Sequence, residues 1–154
     1  MVAILVIAGD RARARLFSLE RDSEEMRELA DMVNPVMHLR ERQLSRDRQG
    51  RGFSGMHASR VTLGKSHPHK RLSSMRFARQ VAEAVQQACT RQDYLHIYLL
   101  ADPEFVGLMR PQMAAKRLTS LLKVIPHSIA RGTVAEIRSR LPAQLWKTPL
   151  GAGA

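Results

Sequence analysis

The chain has 154 residues, 44% of them hydrophobic, with 25 Lys and Arg against 14 Asp and Glu for a net charge of +11. That is enough apolar material for one domain with a true core, and the excess of cations points to an anionic partner. No run of about 18 apolar residues is present to cross a membrane, and Cys89, the single cysteine, excludes a disulfide scaffold and suits a reducing compartment.

Val2 to Ala8 is apolar throughout, the pattern of a strand buried on both faces. No cationic stretch precedes it, so it does not read as an export signal, and a cytoplasmic chain is expected. Gly9-Asp10 turns the chain. Ala14 to Glu20 alternates, with Leu16 and Ala14 facing inward, and reads as the hairpin partner. A third strand is expected near Arg27 to Val33, stopped by Asn34-Pro35.

His38 to Arg71 has no apolar period. It carries nine basic and two acidic residues, together with Gly50, Gly52, Gly55 and Gly64. Free backbone and dense like charge predict a long loop within the domain, with a short strand near Ala58 to Leu63. Leu72 to Arg91 is the clearest helix: Met75, Ala78, Val81, Ala82, Val85, Ala88 and Cys89 recur at spacings of three and four, and Ser73 or Ser74 can cap it. Tyr94 to Ala101 is a second apolar strand. Asp102-Pro103-Glu104 opens a helix with Asp102 as cap, and Pro111 is expected to start a further one through Leu122. Val124 to Ile129 reads as an edge strand interrupted at Pro126. Thr133 and Glu136 have capping-box spacing before a last helix ending near Pro142.

Three meandering strands followed by α/β units predict a single α/β domain over 1–145, a mixed sheet with flanking helices, and a loose tail over 146–154. That order suits an RNase H-like fold.

Several stretches then meet in order: Ala8-Gly9-Asp10-Arg11-Ala12-Arg13-Ala14-Arg15-Leu16-Phe17, Asn34-Pro35, Leu39-Arg40-Glu41-Arg42-Gln43-Leu44, Asp47-Arg48-Gln49-Gly50-Arg51, His57, His67-Pro68-His69, Arg76-Phe77-Ala78, and Ala101-Asp102-Pro103-Glu104-Phe105-Val106-Gly107-Leu108-Met109-Arg110. Together they resemble the bacterial host attachment protein family, which implies an indirect role in attachment to host cells. More distantly, Ser73-Ser74-Met75-Arg76-Phe77-Ala78-Arg79 is similar to the start of the long helix in the RNase H-like middle domain of archaeo-eukaryotic peptide release factors. There an Arg-Phe-Ala-Arg stretch follows the Gly-Gly-Gln loop that positions water on peptidyl-tRNA. Here the corresponding positions hold Lys70, Arg71 and Leu72. The similarity therefore implies the fold and an RNA-facing surface without the release chemistry, and no enzymatic activity or cofactor is expected.

The candidate contacts to RNA or the ribosome are Arg40, Arg42, Arg46, Arg48, Arg51, Arg60, Lys65, Lys70 and Arg71. Arginine is suited to phosphate because its guanidinium makes bidentate bonds. Phe53 is the one aromatic among residues 38–71, which argues against base-specific stacking. The alternative for the same segment is docking on protein, including a second copy. Arg11, Arg13 and Arg15 alternate and read either as an extension of the basic face or as protection of an edge strand. His57, His67 and His69 lack a Cys or acidic partner at metal-ligand spacing. Asp10 and Asp102 each follow a buried strand and, with Glu83, are the carboxylates a metal-dependent nuclease would require. Cys89 reads as inert packing.

Overall fold

The computed structural model describes residues 2–23, 25–37 and 68–146. Its elements are β1 (Ala3–Gly9), β2 (Arg13–Glu20), β3 (Met26–Val33), α1 (Pro68–Arg91), β4 (Ile97–Ala101), α2 (Pro103–Ala115), a 3-10 turn (Thr119–Leu121), β5 (Leu122–Ile125) and α3 (Val134–Ser139). The strands form one mixed sheet in the order β3-β2-β1-β4-β5. The first three meander antiparallel, whereas β1–β4 and β4–β5 are parallel. The expected mixed α/β sheet with flanking helices is therefore present.

Period two in β1 divides the core into two layers. Ala3, Leu5 and Ile7 point to a cluster shared with Phe77, Val81 and Val85 of α1 and Phe105 and Met109 of α2. Ile4, Val6 and Ala8 point the other way, against Ile137 of α3 and against Leu141 and Leu145. Helices on both faces explain why every residue of β1 is buried. They also explain a difference in β2. Instead of one inward face, all of Ala14 to Leu19 is buried, because β2 lies inside the sheet.

Other elements also depart from expectation, β4 by starting at Ile97 instead of Tyr94. The helix α1 begins at Pro68, so Lys70 and Arg71 are helical rather than loop residues, and Ser73 and Ser74 lie inside the helix instead of capping it. Its face turned to the core omits Met75, which is 48% exposed. Pro111 does not start a new helix but sits inside α2. The amide it lacks would have bonded to Gly107; both residues are exposed, so water can serve the released carbonyl. Strand β5 starts earlier than expected and ends at Ile125, directly before Pro126. The Thr133 capping box is present: the Thr133 hydroxyl accepts from the Glu136 amide at 3.1 Å, and the Thr133 amide donates to Glu136 Oε2 at 3.3 Å. The chain stays packed as far as Leu145, which is buried, and Trp146, which leans on the second layer.

Gly9 ends β1 beneath α2. A Cβ there would lie 2.9 Å from the Phe105 ring and 3.3 Å from Ala14 Cβ, and Phe105 is fully buried, so the ring has nowhere to go. Gly9→Ala is predicted to destabilise the fold by about 1–3 kcal/mol, the usual cost of overpacking. Urea unfolding checks this as a lower midpoint at unchanged slope.

Candidate functional site

The carboxyl ends of β1 and β4 lie side by side, with Gly9 opposite Ala101. Antiparallel pairing brings the start of β2 and the end of β3 to the same edge, with Arg13 opposite Val33. In open α/β sheets this edge is where ligands bind. Asp10, Arg11, Asn34 and Asp102 all emerge here.

Asn34 holds the edge together. It is 5% exposed, so its polar atoms require partners. Its backbone amide donates to the Ala12 carbonyl at 2.8 Å. Its side-chain amide donates to the Arg11 carbonyl at 3.1 Å, and Ser73 Oγ of α1 lies 3.1 and 3.2 Å from its Nδ2 and Oδ1. One residue further, Ser74 Oγ sits 4.0 Å from Met37 Sδ. The residues on either side of the basic segment, 34–37 and 73–74, are thus pinned to one another and to the β1–β2 turn. The sequence offered Asn34-Pro35 only as a strand stop; an Asn placed between a strand and a Pro was the available signal.

Of the expected contacts, Arg40, Arg42, Arg46, Arg48, Arg51, Arg60 and Lys65 lie outside the described residues, as do His57, His67 and the short strand near Ala58 to Leu63. Lys70 and Arg71 fall in the first turn of α1. Lys70 is partly exposed, and Arg71 and Arg76 are exposed. None of the three makes an ion pair among the described residues.

The other arginines at this edge are neutralised. Arg11 pairs with Glu104 at 3.0 Å, Arg13 with Asp31 at 2.6 Å and Arg15 with Glu28 at 2.9 Å. Arg15 also donates to the Gly132 carbonyl at 2.6 Å and stacks 5.0 Å over Phe17. These three residues neither extend a basic face nor guard an edge, because β2 is an interior strand and each guanidinium already has its carboxylate. The bidentate bond from Arg13 holds the Asp31 carboxyl below its usual range, and Asp31 in turn raises Arg13.

The carboxylates expected of a nuclease are only partly gathered. Asp10 and Asp102 leave adjacent strands, but Asp10 Oδ1 is occupied by the amides of Ala12 and Arg13 at 2.7 and 2.8 Å. Asp102 adopts an N-cap backbone conformation without a side-chain cap bond, and its Oδ1 is buried without a partner. Glu83 is on the solvent side of α1, paired with Arg79 at 3.4 Å. Among the described residues no three His, Cys, Asp or Glu side chains converge to hold a metal. The Cys89 thiol is half-buried, and burial, helped by Asp93, pushes it up, away from the thiolate a nucleophile needs. No described helix is long and apolar enough to cross a membrane.

What this defines is a mixed α/β domain whose basic segment is tethered at both ends to the carboxyl edge of the sheet. Residues 5–141 match the family model described as "Protein required for attachment to host cells", and the chain belongs to that family. No curated protein matches the chain.

Two predictions follow from the edge. Asn34→Ala leaves the Arg11 carbonyl and the Ser73 hydroxyl without their partner, and is expected to cost about 1–3 kcal/mol; in a double-mutant cycle with Ser73→Ala the two losses should be less than additive. Asp31 has a folded-state value below its ordinary 3.8. Its stabilising contribution is present above that ordinary value and is lost as the pH falls through the depressed folded one. Asp31→Asn should therefore lower stability at neutral pH and flatten the acid limb of a stability–pH profile below about pH 4.

Proposed function

We propose that this host attachment family protein is a non-catalytic binder of RNA, free or in the ribosome, and that its part in attachment to host cells is exerted indirectly. The observation that carries the reading is the contrast between the paired arginines of the sheet edge and the charge count of the segment that follows it in sequence. Arg11, Arg13 and Arg15 are each matched by a carboxylate, whereas residues 38–71 hold nine cations against two acids, and Lys70 and Arg71 project from α1 without a partner among the described residues. Cations in excess release counterions when they meet a phosphate backbone.

The strand order β3-β2-β1-β4-β5 supports reading the domain as RNase H-like, in the manner of the release-factor middle domain. In that comparison Lys70, Arg71 and Leu72 replace the Gly-Gly-Gln that carries release chemistry, which favours binding without catalysis. A cytoplasmic location belongs to the same reading. The alternative, self-association through the basic segment, predicts a concentration-dependent mass and no RNA retention.

Cosedimentation with ribosomes and with single-stranded RNA across a salt series tests the proposal. Binding should fall linearly on a log–log plot, and Lys70→Gln with Arg71→Gln should reduce the slope by roughly 0.7 for each lost phosphate contact. Extending the substitutions to Arg46→Gln, Arg48→Gln and Arg51→Gln should abolish binding at moderate salt. Absence of binding at low salt overturns the proposal.

A further inference from the structure

The sheet edge just described leaves unused a groove near the far end of the same helix. It has a volume of about 310 Å³ and runs between β3 and the C-terminal half of α1. Leu16, Ala30, Ala84 and Ala88 supply apolar lining, Gln87 and Gln92 polar lining, Arg27 and Arg91 stand at its borders, and no acidic residue lines it. The alanines matter because two short side chains on the helix leave room for a row of side chains that do not belong to either wall.

One wall of this groove is a sheet edge. β3 is the last strand of the sheet, and its outer backbone groups have no strand beside them among the described residues. The opposite edge, β5, is protected in the usual ways: it has four residues, carries Lys123 and stops before Pro126. β3 also carries charges, Arg27, Glu28 and Asp31, but it has eight residues and no proline, and Leu29 and Val33 on it are exposed at 38% and 52%. On its other face the Arg13–Asp31 and Arg15–Glu28 pairs join it to β2. A register shift at Leu16/Phe17 adds a bulge to this pairing. A bulged edge twists away from flat sheet-to-sheet contact, which disfavours a second copy of this strand but leaves an edge that a single flexible segment can follow.

We infer that the groove between β3 and α1 receives an extended acidic peptide segment of a partner protein, which pairs with β3 as a sixth strand. Its alternate apolar side chains lie over Ala84 and Ala88, and its carboxylates lie beside Arg27 and Arg91. A groove between an edge strand and a helix is a recurrent peptide-binding geometry, in which main-chain bonds give affinity and alternate side chains give specificity. The charge of the borders selects the sign of the peptide. This inference does not rest on the RNA reading, since it uses other residues at another place.

The test uses the full chain and a fluorescein-labelled ten-residue peptide alternating Glu with Val and Leu, with Lys in place of Glu as the control. Any polyanion is drawn to a chain of net charge +11, so location is the deciding readout. The acidic peptide should bind, the lysine peptide should not, and hydrogen exchange of the β3 amides should slow on binding. Ala88→Trp, which fills the groove, should weaken binding at least tenfold. So should the paired charge reversal Arg27→Glu with Arg91→Glu, both exposed positions whose substitution leaves the core untouched. RNA retention should be the same for Ala88→Trp and the native chain. Failure of the acidic peptide to bind, equal binding of the lysine peptide, or binding that survives these variants without protection of β3 overturns the inference. Loss of RNA retention in Ala88→Trp would assign the groove to nucleic acid and overturn it too.

Discussion

The buried side chain of Asn34 is the contact on which the functional architecture depends. A primary amide with almost no access to water must be bonded within the protein, and this one spans the turn after β1 and the second turn of α1. It thereby decides where the chain leaves the sheet after β3 and where it returns to the helix. The contact therefore joins the last described residues before the arginine-rich segment to the helix that follows it.

The same edge shows how the domain separates structural from available charge. Arg11, Arg13 and Arg15 are drawn into ion pairs with Glu104, Asp31 and Glu28. Most of these pairs are at least partly exposed, and such pairs individually contribute little stability. Arg15 differs because it is nearly buried and also bonds the Gly132 carbonyl, tying β2 to the turn before α3. Once these acids are occupied, they no longer compensate Lys70 and Arg71. Net charge alone would have treated all of these cations alike.

Much of the fold was legible because its signals are local. The uniform apolar run of β1, the spacing of Ala78, Val81, Ala82 and Val85, and the Thr133–Glu136 capping box each lie within one element. The misreadings have a common cause in distance along the chain. Arg15 could not be recognised as an internal strut, because its partners include Glu28 across a bulge and Gly132, 117 residues away. Lys70 and Arg71 looked like loop because cations recur on both sides of the start of α1 at Pro68, although a proline at the first helical position is itself a start signal. Pro111 looked like a helix start because nothing in the sequence tells that Gly107 and its carbonyl face water. At the candidate site the charge asymmetry was plain in the sequence, but the Asn34–Ser73 tether was not, since it joins residues on either side of the basic segment.

The central claim is that the segment rooted at the sheet edge contacts RNA. Ultraviolet crosslinking of the full chain to bound RNA, followed by mass spectrometry of the crosslinked peptides, tests it most directly. The account predicts crosslinks confined to residues 38–71 and the first turns of α1. Crosslinks clustered on α3 and β5, or no crosslinked peptide under low-salt conditions, would contradict it.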